Sequence, residues 1–383
     1  MNSILVLAAA VSAAAALPDG FREPPEKYWD FAELGNAPAY RACDRAECAF
    51  KGMDALLVSG RGPNGSSAEF FCYFAKPEGA VPEGGFPGVL LVHGGGGTAF
   101  PLSVDAWRRA GFAVLAPDWY NCMPAPGLTN GSPVEGRLPR IELPGGRRND
   151  QRANVANLVL AHSLLRSMTG VNSERTVYVG LSWGSWYGAA VAAVDPRFRG
   201  VVEIYCGDAR PSDRLVNGRF LHAAKCPMWW VVGTNDQNVS PASSQAGFDE
   251  CPTHFGHAIV PRLPHSHVGY EFGSVMRMAK FFAGAGRSLP VLGRATISEG
   301  AISARVERSG ASEGRAVLNY TVDRSAQKPH MRRWLSAPAE LKGGVVSAKL
   351  PDGVFQAYLS LYEADEGRFH DLCGSSSILE VRE

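Results

Sequence analysis

Between Val89 and Ala283 the chain alternates short apolar runs with stretches of helical period, and no other feature restricts its fold as much. Val89–Val92, Phe112–Asp118, Thr176–Val179, Gly200–Ile204 and Met228–Val232 are apolar runs of the buried-strand type. Ser103–Gly111, Arg152–Met168, Ser185–Val194 and Met276–Ala283 carry helical periodicity. Strands that alternate with helices predict a mostly parallel sheet covered by helices on both faces, an α/β fold. Upstream, Ala55–Val58 and Glu69–Phe74 flank the turn-rich RGPNGSS, which is a hairpin signal. Near Ser288-Leu289-Pro290 the pattern changes to short β-type runs separated by turn residues, such as ATISEGAISARVE and VFQAYLSLYEA. That reads as a separate all-β sandwich of immunoglobulin or fibronectin type.

The expected organisation is therefore an α/β unit at 55–289 and a sandwich at 290–383, preceded by an arm at 17–54. Ile4–Ala16 are apolar and small and end before Pro18-Asp19-Gly20, as in the apolar region of a signal peptide, here residues 1–16. They predict export to a periplasmic or extracellular location. No run further along is long enough to span a membrane. The formal net charge of +1 and the lack of a basic stripe give nucleic acid no electrostatic footprint. Arg147-Arg148, the densest basic spot in the middle of the chain, reads as a solvated loop. The eight cysteines suit an oxidising compartment. Cys43 and Cys48 are spaced to close a small disulfide ring, Cys72 reads as core, and none has metal-ligand spacing.

The chemistry centres on Gly180-Leu181-Ser182-Trp183-Gly184. A G-x-S-x-G pattern arises easily by chance in a chain with 43 glycines. Here it follows a predicted strand and opens a predicted helix, the context of a nucleophile elbow. Such a turn is tight enough to need small residues at Gly180 and Gly184, and it lifts the serine hydroxyl out at the sheet edge. Ser182 is the expected nucleophile.

A serine hydroxyl needs a base, and the base needs an orienting acid. On an α/β-hydrolase they follow in the order serine, acid, histidine. Asp236 follows the strand-like MWWVVG and is the expected acid. Asp208, one strand earlier, is its rival. The segment VPRLPHSHVGY supplies His265 and His267. His267, before a glycine in the loop that opens the last helix, is the expected base. His265 is the alternative base or a partner of it, and His257 a weaker third candidate. Two backbone N–H groups must stabilise the oxyanion. Trp183, immediately after the nucleophile, supplies one. The glycine run after His93 supplies the other, from Gly95 with Gly94 as alternate, because a backbone without Cβ can approach a substrate closely. His93 is expected to hold that loop. The run matches neither a dinucleotide fingerprint nor a P-loop, and the mechanism calls for no cofactor or metal.

HGGGGTAF, APDWYN, GLSWGSWYG, VVGTNDQNVSP and LPHSHVGYE together resemble bacterial α/β-hydrolases of the dienelactone-hydrolase and acetylxylan-esterase-like group. The resemblance runs from about Ala55 to Pro290, and a β-sandwich tail fits the same subgroup. It implies an α/β-hydrolase fold, a Ser182–Asp236–His267 triad and cleavage of small acyl esters, often acetyl groups on polysaccharide. Related sequences often read H-G-H-G where this chain has His265-Ser266-His267-Val268-Gly269. The aromatic residues Trp107, Trp119, Tyr120, Trp183, Trp186 and Tyr187 lie close in sequence to the expected mouth, and such faces suit sugar rings. The expectation is a serine esterase acting on a small or carbohydrate ester. The alternatives are a peptidase of prolyl-oligopeptidase type and a non-catalytic glycan-binding protein.

Overall fold

The computed structural model describes residues 21–120, 122–124, 140–142, 150–207, 214–312, 314–324 and 328–381. The signal-like residues 1–16, Arg147-Arg148 and the rival acid Asp208 lie outside them.

A nine-stranded sheet is built from residues 40–260. Its strands are β1 (Tyr40–Ala42), β2 (Asp54–Arg61), β3 (Ser67–Ala75), β4 (Phe86–Val92), β5 (Ala113–Pro117), β8 (Val171–Leu181), β9 (Gly200–Ile204), β10 (Met228–Gly233) and β11 (His254–Val260), while β6 (Cys122–Pro124) and β7 (Arg140–Glu142) form a separate ribbon. The spatial order is β1-β2-β3-β5-β4-β8-β9-β10-β11. Pairing is antiparallel from β1 to β5 and parallel from β5 to β11. With helix α1 (Phe31–Leu34) ahead of the strands, α2 (Pro101–Arg109), α3 (Gln151–Ser167), α4 (Trp183–Val194) and α5 (Pro241–Glu250) between them and α6 (Gly273–Phe282) after β11, this is the α/β-hydrolase arrangement.

Side chains alternate across the sheet, and β9 shows what each face meets. A Cβ on Gly200 would stand 2.3 Å from the Phe282 ring of α6, whereas a Cβ on Gly188 of α4 would stand 2.2 Å from Glu203 Oε1. Gly200 and Glu203 are an odd number of residues apart, so α4 and α6 cover opposite faces. The central strands are buried on both sides, which is why they read as continuous apolar runs rather than alternating ones.

Three elements differ from the sequence expectation. The arm adds the edge strand β1, whose three residues are all exposed and therefore carry no apolar pattern. Helix α5 opens with Ser240 capping the Ser243 N–H and Pro241 in its first turn, but its sequence PASSQAGFDE shows no apolar stripe. Strand β11 begins with His254-Phe255-Gly256-His257, which masks its short apolar end.

Beyond Pro290 lie two antiparallel sheets. One contains β12 (Val291–Leu292), β13 (Thr296–Ser298), β14 (Ala301–Arg308), β17 (Glu340–Lys342) and β18 (Val345–Lys349). The other contains β15 (Ala316–Thr321), β16 (Leu335–Pro338), β19 (Gln356–Tyr362), β20 (Cys373–Ser375) and β21 (Leu379–Glu380). Ile302 and Val346 of the first sheet meet Leu318, Leu359 and Leu361 of the second in a shared core, as in a sandwich. A second set of tail residues, including Trp334, Tyr358 and Cys373, joins the core of the large sheet instead.

All eight cysteines are buried thiols. Cys43 and Cys48 lie side by side as thiols, Cys43 Sγ donating to Cys48 Sγ at 3.7 Å, in place of the anticipated disulfide ring. Cys72 is fully buried, as its apolar surroundings predicted. Among the described residues, no helix is long and apolar enough to cross a membrane, and no group of three or more His, Cys, Asp or Glu could hold a metal ion.

Candidate active site

Strand β8 ends at Leu181 and helix α4 begins at Trp183, so Ser182 alone makes the turn. Its backbone takes φ 55° and ψ −111°, a conformation costly for a residue with a Cβ. The elbow is pinned from β9, because Ser182 N–H donates to the Ile204 carbonyl at 2.9 Å. Ser185 Oγ, in the first turn of α4, lies 2.9 Å from both the Gly180 and Ile204 carbonyls. The flanking glycines are sterically required. A Cβ on Gly180 would stand 2.5 Å from the Gly184 carbonyl, and one on Gly184 would stand 2.3 Å from the Val92 carbonyl.

Asp236 follows β10 and is 2% exposed. Its Oδ1 accepts the Asn238 and Val239 N–H groups at 2.7 and 2.9 Å. These two bonds fix the carboxylate and leave Oδ2 to face His265 Nδ1 at 2.7 Å. On the other side of the ring, His265 Nε2 stands 2.8 Å from Ser182 Oγ. A neutral imidazole that donates Nδ1–H to Asp236 and accepts Ser182 O–H at Nε2 satisfies both contacts.

The histidine between Ser182 and Asp236 is therefore His265, not His267. His267 turns the other way: its Nε2 donates toward the Gly95 carbonyl at 3.3 Å, and its ring lies 6.1 Å from Phe100. Burial, and then the nearby His265 and His93, hold the His267 ring below the ordinary imidazole range. The reason for the swap lies in contacts that the sequence does not announce. Gln237 Oε1 accepts the His265 N–H at 3.2 Å, which ties the base loop to the acid loop. Arg262 enters the same loop with φ 62°, and its N–H donates to Thr234 Oγ1 at 2.7 Å. His257 points elsewhere, with Nε2 donating to the Ser376 carbonyl at 3.1 Å.

The glycine loop rests on the elbow. A Cβ on Gly94 would stand 3.0 Å from Ser182 Cβ, and one on Gly95 would stand 2.4 Å from Trp183 Cδ1. His93 holds this loop as expected, donating from Nδ1 to the Gly94 carbonyl at 2.8 Å and stacking on Trp119. The Trp183 N–H is the first of α4 and has no carbonyl within the helix to bond.

Trp119 packs near Tyr120, Trp183 and Tyr187, and Trp183 meets Trp186 edge-on at 4.8 Å. The Arg214 guanidinium lies 4.8 Å over the Trp183 ring. Trp107 is not part of this group; it is buried against Phe112. Sequence reading also missed Tyr205. This residue has φ 78°, lays its ring 4.5 Å from His265 and hydrogen-bonds through its hydroxyl to Ser266 Oγ at 2.9 Å. Its position one residue past a strand end was the only sequence signal.

No family model and no curated protein sequence matches the chain. Among solved structures it is similar to an acetyl xylan esterase from Paenibacillus sp. R4, at 16% identity over 69% of this chain and 96% of that one, with a TM-score of 0.49. It is also similar to acetyl xylan esterase 1 from Thermoanaerobacterium sp. JW/SL YS485, at 16% identity over 64% and 89% of the two chains, with a TM-score of 0.44. A third is a protein of Klebsiella pneumoniae provisionally named a dienelactone hydrolase, at 17% identity over 60% and 95%, with a TM-score of 0.41.

Proposed function

We propose that the chain is a serine esterase that cleaves small acyl esters, acetyl esters of carbohydrate foremost. The observation that carries this reading is the continuous relay Ser182–His265–Asp236 on a strained strand-to-helix turn. His265 Nε2 takes the Ser182 proton as Oγ attacks the ester carbonyl. Asp236 keeps the proton of the imidazole on Nδ1 and stabilises the imidazolium that forms. The N–H groups of Trp183 and Gly95 receive the oxyanion, each contributing on the order of 3 kcal/mol to the transition state. The imidazolium then protonates the leaving alkoxide, and an acyl-Ser182 ester remains. Water, deprotonated by His265, releases the acid and restores the hydroxyl.

Two features support the substrate. The Trp183 indole packed on Gly95 crowds the space beside the nucleophile, which favours a small acyl group. The partly exposed Trp183 indole, backed by the buried Trp119, Trp186 and Tyr187, offers an aromatic face of the kind that sugar rings stack on.

Hydrolysis of p-nitrophenyl acetate, butyrate and octanoate by the chain and by Ser182→Ala tests the reading, with acetylated xylan alongside. Acetate should be the best of the three, and Ser182→Ala should lose about 10³-fold or more in kcat. Equal activity of the two proteins would remove Ser182 as nucleophile.

A further inference from the structure

The loops that carry Asp236 and His265 are both gripped by the β-sandwich beyond Pro290. We infer that the β-sandwich is a positioning element of the relay, acting on the acid loop through Asn235 and on the base loop through Asp371. The inference rests on the esterase reading above.

Asn235 precedes the acid directly. Its Nδ2 donates to two backbone carbonyls of the tail, His330 at 2.7 Å and Arg332 at 3.1 Å. Its Oδ1 accepts from Thr234 Oγ1 at 2.8 Å, so the amide is held at both ends. Thr234 Oγ1 in turn accepts the Arg262 N–H at the entrance to the base loop. A shift of the 330–332 segment therefore moves the residue beside Asp236 and the start of the loop that carries His265.

The second grip is at the exit of the base loop. His265 leads into the turn His267–Glu271 and then into α6. Asp371 of the tail is fully buried and caps that helix, its Oδ2 accepting the Ser274 N–H at 2.7 Å. Phe369 meets Phe272 edge-on at 5.0 Å, and Arg368 pairs with Glu271 at 2.8 Å. Strand β11, which feeds the base loop from the other side, donates its Ile259 N–H to Ser375 Oγ at 2.9 Å. These contacts fall on the segments bracketing the acid and the base. A misplacement of about 1 Å in such a relay can cost about 10²-fold in rate.

The test uses the full chain, with active sites counted by fluorophosphonate labelling of Ser182 and kinetics on p-nitrophenyl acetate. Asn235→Ala and Asp371→Ala should each lower kcat per labelled site by about tenfold or more while KM stays within about twofold. Asp371→Asn should retain kcat, because the amide oxygen still caps Ser274 and burial already pushes the Asp371 carboxyl above its ordinary range. Wild-type kcat per labelled site in both alanine variants, with only thermal stability lost, would overturn the inference and leave the esterase reading standing. Should Asn235→Ala not fold, the contrast between Asp371→Ala and Asp371→Asn decides. A wild-type chain that is neither labelled at Ser182 nor active would overturn the esterase reading itself and this inference with it.

Discussion

His162 Nδ1 stands 2.7 Å from Asp195 Oδ2, the same separation as His265 Nδ1 from Asp236 Oδ2. His162 Nε2 meets a hydroxyl too, Thr176 Oγ1 at 2.8 Å. The chain thus holds a second hydroxyl–imidazole–carboxylate relay, but this one is sealed. All three residues are 0% exposed, and Phe198 stacks on the imidazole at 3.5 Å. Arg197 also pairs with Asp195 through two guanidinium nitrogens, which together with His162 holds the carboxyl well below its usual range.

Removing one member of the sealed relay should act on stability and leave the chemistry alone. Asp195→Ala takes the carboxylate partner from His162 and Arg197 and is expected to cost about 3 kcal/mol. Urea unfolding should show that loss, while kcat per labelled Ser182 in the remaining folded protein stays near wild type. A kcat that falls in step would mean that the two relays communicate.

The two neighbouring histidines of the base loop separate cleanly by mutation. His265→Ala should lose about 10³-fold or more in kcat. His267→Ala gives up one weak contact to the Gly95 carbonyl and should lose less than about tenfold. The reverse order on p-nitrophenyl acetate would restore His267 as the base.

Gly95 and Trp183 should be strongly coupled. Gly95→Ala places a Cβ 2.4 Å from Trp183 Cδ1 and should displace the glycine loop, at a cost of about 1–3 kcal/mol. In a Trp183→Ala background the same substitution meets no indole and should be nearly neutral. A double-mutant cycle on stability and on kcat/KM measures the difference, and additive effects would deny the contact.

Stability should fall as the pH drops from about 6.5 toward 4. Burial depresses His254 to about 4 and His257 to about 3. Between those values and the ordinary imidazole value of about 6.5, the unfolded chain binds protons that the folded chain refuses, so acid favours unfolding. The two rings touch through His254 Nε2 and His257 Nδ1 at 3.1 Å, and both stack on Phe248. His254→Phe fits the stack. It should lower stability at pH 7.5, where the inter-ring hydrogen bond is lost, yet flatten the acid slope in urea titrations at successive pH values.

What could be read from the sequence follows physical lines. Strands β4, β8 and β10 announce themselves because both faces are buried. The elbow announces itself because only glycine fits on either side of Ser182. The assignment of His265 over His267 was not legible. It depends on Gln237 gripping one backbone N–H and on Arg262 adopting a positive φ, and neither leaves a pattern in composition or period. Tyr205 was hidden for the same reason: its role lies in where its ring falls after the chain has folded. The tail read correctly as β-structure, while its hold on the acid loop runs through backbone carbonyls that any sequence would supply.

Trp334, Tyr358 and Cys373 lie in the same apolar cluster as the strands of the large sheet. The tail thus has a core of its own, yet the line at Pro290 also runs through contacts that tie it to the large sheet. Cut there, the first half would present to water the apolar surface that those rings now cover, and the second would lose part of its own support. Heat or denaturant should therefore meet one cooperative body in place of two.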